Sequence, residues 1–309
     1  MSKYDKIVDN IKIDDLSLIG RGANGSVYQL DEDKIIKVYN DSSLERIKRE
    51  KDAARKALIH GIPTAISYNI AKIGDKYGII YECVNSQTLG QYLDKNPDKI
   101  DDAAKQMANL LKKLHSTEFE PGVLPDARDN LNVWADIAEK SGYYSDEVIS
   151  KMRDLIYSIH PRNTFIHGDF HPGNIMVTNG EMLLIDMTDS SVGDPIVDLM
   201  GAYQIMKLVS QREGGGKRYT GMSNENLNLL WDKFIGEYTG ITDKDQMIGF
   251  ERKLKFYSLI RSLPGVTFSD LVPKDKLPFI TGEVSQAFLT GYELFTKDRN
   301  SKEAEAEEK

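Results

Sequence analysis

The stretch 167–198 constrains this chain more than any other, because its turn chemistry alone gathers oxygen-bearing side chains at one end of a ribbon. It opens His167-Gly168-Asp169-Phe170-His171-Pro172-Gly173-Asn174, runs apolar over 175–177, turns at Asn179-Gly180 and returns through 182–185 to Asp186. Asn-Gly between two apolar runs is the strongest short hairpin signal, since a type I′ turn needs positive φ at both central residues. That turn sets Thr178 opposite Glu181 and Val177 opposite Met182; carried back, the register sets Asn174 opposite Ile185, immediately beside Asp186. An amide oxygen and a carboxylate therefore meet, a pair suited to Mg²⁺, and Asp169 lies one loop away with a free carboxylate.

The rest of the composition sets bounds. At 309 residues and 40% hydrophobic content, the chain can bury one large core or two smaller ones. Cys83 is the only cysteine, so no intrachain disulfide forms, and the first six residues lack the apolar stretch of a secretion signal. A reducing, cytoplasmic setting is the expectation, with no membrane span. The net charge is −8, and the segment 297–309 holds four basic and five acidic residues, so the acidity belongs to the body and argues against nucleic acid.

Three stretches are expected from the pattern: a β-rich lobe over 1–84, a mainly helical lobe over 85–296 and a disordered, solvated tail over 297–309. In the first, strands fall at 16–19, 26–30, 35–39, 70–73 and 77–81, with a helix from about Ser43 to the stop at Gly61-Ile62-Pro63. This is a five-stranded antiparallel lobe with one helix inserted, and 82–86 reads as the connector. In the second, Ile100, Ala104, Met107, Leu111 and Leu114 recur at helical spacing, and a later helix carries Leu131, Trp134 and Ala138 and closes at Gly142. Two more are marked by Leu227, Trp231, Phe234 and Tyr238, and by Met247, Phe250, Leu254 and Tyr257, the latter opened by Thr242 and Asp245 as a capping pair. Gly214-Gly215-Gly216 reads as a flexible break.

The chemistry-bearing motifs are each weak alone. Gly20-Arg21-Gly22-Ala23-Asn24-Gly25-Ser26-Val27 fits G-x-G-x-x-G-x-V between two strands. A dinucleotide-binding turn would instead open a helix at its third glycine, so a loop folded over nucleotide phosphates and a plain glycine-rich hairpin are the readings left. Lys37 on the next strand is by default an outward charge; the order of glycine loop, strand lysine and acidic helix raises a phosphate-gripping role, with Glu50 a better partner than Glu45 because it lies deeper in the helix. His167, Asp169 and His171 alternate, as transition-metal ligands on a strand would, but Asp169 as base with His167 as its packed support is the stronger assignment. Gly193-Asp194-Pro195 starts a helix, with Asp194 as N-cap, and Asp198 in its first turn is placed to reach the backbone of the catalytic loop.

In this order the motifs resemble the aminoglycoside phosphotransferase and choline kinase family, small-molecule relatives of the protein kinases. His167-Gly168-Asp169 with Asn174, Leu184-Ile185-Asp186, Gly193-Asp194-Pro195 with Asp198-Leu199, and Leu114-His115 at a helix end carry the likeness, over about residues 16–200. The resemblance implies an α+β, bilobal protein-kinase-like fold: a small antiparallel β lobe with one helix above a larger, mainly helical lobe. It implies an ATP-dependent phosphotransferase, using ATP or another nucleoside triphosphate with Mg²⁺ and passing the γ-phosphate to an alcohol group of a small molecule. Asp169 is then the catalytic base and Asn174 and Asp186 the metal ligands. Gly20, Gly22, Gly25, Val27, Lys37 and Glu50 surround the phosphates, and the backbone from Glu82 to Val84 meets the adenine. Met187 and Thr188 depart from the Trp or Phe often found after the metal-binding aspartate, which puts the subfamily in question.

A protein kinase is the first alternative, opposed by the seven residues between Asp186 and Asp194, too few for a peptide-binding activation segment. A non-catalytic nucleotide-binding module is the second; it would be expected to have lost one of Lys37, Asp169, Asn174 or Asp186. The acceptor carries no readable motif. Asp129, Asn132, Asp136 and Glu139 share a helix face that reads first as an ordinary solvated surface; lining a cleft instead, it would draw a cationic acceptor.

Overall fold

A computed structural model of the protein describes residues 7–8, 11–22, 24–40, 43–84, 87–268 and 272–307. The β-branched and aromatic runs of the first eighty residues form a six-stranded sheet: β1 (Ile7–Val8), β2 (Leu18–Gly22), β3 (Gly25–Gln29), β4 (Lys34–Tyr39), β5 (Ser67–Ile73) and β6 (Lys76–Glu82). Their order is β1-β5-β6-β4-β3-β2. Five strands pair antiparallel as expected; the two-residue β1, parallel to β5, is an edge addition. Between β4 and β5 lies α1 (Leu44–Ile59), opened by Ser43, whose side chain accepts the Arg46 N–H. Ile47 of α1 packs with Tyr39, Ile70 and Ile79 on one face of the sheet, while Ile36, Val38, Ala71 and Ile80 fill the other.

Beyond the connector come β7 (Gln87–Thr88), α2 (Leu89–Lys95), α3 (Ile100–His115), α4 (Ala127–Ser141) and α5 (Asp146–Tyr157). Gly142 ends α4 in a left-handed conformation, as the stop signal implied. Next are β8 (Phe165–Ile166), β9 (Ile175–Thr178), β10 (Glu181–Leu184) and β11 (Ser191–Val192), then α6 (Ile196–Tyr203), α7 (Gly215–Thr220), α8 (Asn224–Thr239), α9 (Lys244–Phe268) and α10 (Leu277–Glu307). One core joins the helices, with Trp231, Phe165, Phe170, Phe234 and Phe288 buried, and it takes in Ala53, Ala54 and Ala57 of α1, which tie the two lobes together. Among the described residues, no helix is long and apolar enough to cross a membrane.

Three local readings are corrected. The glycine triplet is no flexible break: Gly215 and Gly216 start α7, and a Cβ would stand 2.2 Å from the Val209 carbonyl oxygen at the first and 2.7 Å from that of Met222 at the second. Close packing, not mobility, selects glycine there. The cap of α9 is Asp243, which accepts the Gln246 N–H at 2.8 Å, not the Thr242 and Asp245 pair. The tail read as disordered is helical to Glu307, because Ala, Glu and Lys are good helix formers and extending an existing helix avoids the cost of nucleation.

Of the side chains described in that extension, Arg299 reaches the body. Arg299 faces Asp154 at 3.8 Å with both side chains well exposed, a pair worth at most about 1 kcal/mol. Deleting 297–309 is therefore expected to leave the melting temperature and any activity nearly unchanged; a thermal scan showing a loss of several degrees would contradict this.

Candidate active site

The hairpin forms in the register that Asn179-Gly180 dictates. Asn179 has φ 49° and Gly180 φ 81°, Thr178 pairs with Glu181, Val177 with Met182 and Ile175 with Leu184. The Ile185 N–H then bonds to the Asn174 carbonyl at 3.0 Å, so Asn174 and Asp186 emerge at the same end. Asp186 itself has φ 62°, a left-handed conformation that costs a non-glycine residue about 1–3 kcal/mol and that clusters at functional sites.

Asp186 is held there by contacts from both lobes. Lys37, on β4, reaches its Oδ1 at 2.9 Å and Glu50 Oε1 at 3.0 Å, so Glu50 and not Glu45 is the partner. Burial alone would push the Lys37 ammonium down, but Asp186 and Glu50 outweigh it and hold its pKa above the usual value. Tyr81 adds a hydrogen bond to Glu50. Thr188, whose position marked a departure from the family pattern, sets its hydroxyl 2.5 Å from Glu50 Oε2 and 2.6 Å from Asp186 Oδ1. One hydroxyl proton can go to only one of them, so Thr188 helps to position the pair without neutralising it.

Asp169 sits in the loop after β8. Gly168 before it has φ 85°, and a Cβ there would stand 2.6 Å from the Asp189 carbonyl oxygen, so only glycine fits. The buried carboxylate of Asp198 fixes the loop: its oxygens accept the N–H groups of His167 at 3.0 Å and Gly168 at 2.6 Å, while His115 Nε2 lies 3.1 Å away. The other nitrogen of His115 is hydrogen-bonded to the Tyr238 hydroxyl at 2.7 Å. Burial pulls Asp198 upward, yet the His115 hydrogen bond and the other contacts hold it below the usual carboxylate range. His167 is buried, its ring bonded to the Ile185 carbonyl and the Asp169 N–H, which makes it a brace between loop and hairpin. Asp194 accepts the Ile196 N–H and so caps α6.

Around Asp169 converge two partners that local sequence did not reveal. Arg261 from α9 spans the Gly168 carbonyl at 2.9 Å and Asp169 Oδ1 at 3.0 Å. It lies over the Trp134 ring at 5.3 Å and so close to Gly201 that a Cβ there would stand 2.6 Å from Nη1. His171 Nε2 is 3.4 Å from Asp169 Oδ2, and its Nδ1 faces the Gly173 N–H at 3.1 Å. Against the upward pull of burial, His171 and Arg261 hold the Asp169 carboxyl well below the usual range.

Asn174 donates its amide N–H groups to both the Asp169 carbonyl and Oδ2, each at 3.0 Å. That pattern fixes the amide orientation and reserves Oδ1 as an acceptor. Asp186 likewise keeps Oδ2 out of its bonds to Lys37 and Thr188, which both use Oδ1. Two hard oxygens remain, and among the described residues no group of three His, Cys, Asp or Glu side chains forms a self-sufficient metal cage. Such a donor set fits a cation completed by a ligand's phosphates, as Mg²⁺ commonly is.

The glycine-rich turn divides. Gly25 is bare for an internal reason, since a Cβ would stand 2.2 Å from the Val38 carbonyl oxygen, whereas a Cβ on Gly22 would meet nothing within 4 Å. Gly20 pairs with Val27 across the two strands, and Ala23 lies outside the described residues. At the connector, the Glu82 N–H and side chain are committed to Ile66 and the Cys83 N–H to Asp33. The acidic face of α4 turns to α5: Arg153 binds Asp136 at 2.8 Å and Glu139 at 2.9 Å. It is an ordinary paired surface, and the cleft side of α4 carries Asn130, Leu131 and Trp134 instead.

A small β lobe over a helical lobe, with a strand lysine paired to a helix glutamate and an Asp, Asn and Asp set below it, defines a phosphotransferase of the protein-kinase-like class. Residues 15–225 match the phosphotransferase enzyme family (APH), and the chain belongs to that family. A search of curated protein sequences gives no match. Solved structures are similar throughout the fold. Aminoglycoside phosphotransferase APH(2'')-Ib with ADP bound has a TM-score of 0.60 at 18% identity, over 90% of this chain and 94% of the other. A thermostable mutant of aminoglycoside phosphotransferase APH(4)-Ia, in a ternary complex with ADP and hygromycin B, has 0.58 at 12%, over 90% and 94%. A choline/ethanolamine kinase family protein from Mesorhizobium loti has 0.53 at 16%, over 89% and 87%. At such identities the likeness speaks for the fold.

Proposed function

We propose that the protein transfers the γ-phosphate of ATP, or of another nucleoside triphosphate, to a hydroxyl group of a small molecule. The observation that carries this reading is a pair of hydrogen-bonded sets, Glu50 with Lys37 and Asp186, and Asn174 with Asp169, which the hairpin bond from Ile185 N–H to the Asn174 carbonyl brings to one end. It puts an ammonium, two oxygen donors and a carboxylate side by side where the lobes meet. Lys37, steadied by Glu50, grips the α and β phosphates, and the bare Gly22 lets the turn approach them. The connector backbone from Glu82 to Val84 is assigned to the adenine edge. Asn174 and Asp186 would hold Mg²⁺, which when bound neutralises phosphate charge.

The acceptor oxygen attacks the γ-phosphorus as the bond to the bridging oxygen breaks, ADP leaves, and the hydroxyl proton passes to Asp169. A carboxylate tied to Arg261 and His171 is a weak base in the ground state. In a loose transition state the nucleophile needs little deprotonation before attack, so Asp169 acts first by orienting the hydroxyl and takes its proton late. Positioning and charge neutralisation supply the remaining catalysis. A peptide acceptor is disfavoured because the short segment after Asp186 is tied back at once, Ser191 and Val192 of β11 pairing with β8. A screen of ATP consumption over aminoglycosides, macrolides, choline, homoserine and sugars, with product mass measured, tests the reading. With casein added as a protein acceptor for contrast, one or more phosphorylated small-molecule products are expected; phosphorylation of the protein acceptor alone would overturn it.

A further inference from the structure

A threonine in a turn ordinarily bonds its own main chain. The turn at Thr188 closes without its hydroxyl, through the Ser190 N–H on the Met187 carbonyl at 3.2 Å, and the buried Met187 side chain pins it to the core. The hydroxyl reaches instead to side chains of both lobes, Glu50 Oε2 on α1 at 2.5 Å and Asp186 Oδ1 at the end of the hairpin at 2.6 Å. Both acceptors lie within bonding distance of one oxygen that carries one proton. Rotation about the Cβ–Oγ bond passes that proton from one to the other with no heavy atom moving.

Donor counting decides which acceptor has it. An ammonium carries three N–H groups. In the free protein Lys37 directs one to Glu50 Oε1 and one to Asp186 Oδ1, and Tyr81 joins it on Oε1. Lys37 thus supplies Asp186 Oδ1, and the Thr188 hydroxyl serves Glu50 Oε2. Gripping both the α and the β phosphate takes two of the three N–H groups, so Lys37 has to release one carboxylate. Glu50 is 1% exposed, and a buried carboxylate stripped of its cation is strongly destabilising. The Asp186 side chain is 26% exposed and stands where a metal ion would compensate its charge. Lys37 therefore leaves Asp186, and Thr188 is the donor already in place for the oxygen it vacates.

We propose that Thr188 is a positioning residue whose hydroxyl turns from Glu50 to Asp186 as nucleotide engages Lys37, so that Asp186 keeps one oxygen bonded and the other directed at the metal. This rests on the phosphotransferase reading above, which supplies the nucleotide and the metal. Glu50 meanwhile keeps Lys37 and Tyr81 on its other oxygen.

The test is calorimetry on the full chain with the β,γ-imido analogue of ATP, which is not turned over, first without and then with Mg²⁺. Thr188→Ala and Thr188→Val both remove the hydroxyl, the second also keeping water out of its place, and Thr188→Ser retains it. Metal-free binding is expected to stay close to that of the wild type in all three. Outer partners of metal ligands contribute about 10- to 100-fold in affinity, so the gain in affinity on adding Mg²⁺ should shrink by about tenfold or more in Thr188→Ala and Thr188→Val. Thr188→Ser should keep most of that gain. A threonine that merely holds the turn would lower binding equally with and without metal.

An Mg²⁺ gain unchanged in either hydroxyl-free variant, a loss of the same size without metal, or Thr188→Ser failing as the others do would overturn the proposal and leave phosphoryl transfer in place. Should Thr188→Val not fold, Thr188→Ala carries the same test. A wild type that binds no nucleotide, or binds it no better with Mg²⁺ than without, would instead overturn the phosphotransferase reading.

Discussion

Asp169→Asn is expected to lower turnover by about 10²-fold or more while the affinity for nucleotide stays close to that of the wild type. Asparagine keeps the side-chain shape but cannot take up a proton, and its amide would present N–H groups where Arg261 or Asn174 now donate. The hydroxyl of the acceptor then loses both its orientation and its proton acceptor. The nucleotide side of the cleft is built from Lys37, Glu50 and Asp186, so its binding should persist. Steady-state kinetics with calorimetry separate the two effects; retained turnover would remove Asp169 from the chemistry.

Asp186→Ala should do the opposite and weaken Mg-dependent nucleotide binding itself. The substitution removes a proposed metal ligand and leaves Lys37 with Glu50 alone. Removing even an outer partner of a metal site costs about 10- to 100-fold in affinity, so a loss of at least that size is expected in calorimetry with Mg·ATP. Because Asp186 occupies a left-handed conformation that alanine tolerates poorly, Asp186→Asn provides the control: it keeps a side chain suited to that backbone and removes only the charge. Both variants should bind Mg·ATP weakly. Unchanged affinity in either would count against the metal role.

What the sequence made legible was local. Asn179-Gly180 admits one turn type, and that turn fixes which residues emerge beside Asp186. The depth of Glu50 in α1 was enough to prefer it over Glu45 as the partner of Lys37, and the first-turn position of Asp198 was enough to bring it under the loop. The site residues that escaped notice are those whose role depends on tertiary packing. Arg261 joins Asp169 only because α9 packs against α4 and α6, and Gly201 makes room for it in a way no spacing announces. The glycine triplet misled for a related reason, since glycine serves close packing as readily as mobility. The helix α5 buries Val148, Ile149, Met152, Leu155 and Ile156 at helical spacing and went unread all the same, whereas the short α2 and the two-residue β1 have too little sequence to carry a pattern.

The most direct test of the whole account is ³¹P NMR of the reaction in Mg·ATP with an acceptor alcohol found in the screen, read for the fate of the γ-phosphate. The account predicts a phosphate monoester of the acceptor formed in step with ADP, and its loss in Asp169→Asn. Inorganic phosphate as the only new signal, or a phosphoester made equally well by Asp169→Asn, would contradict it.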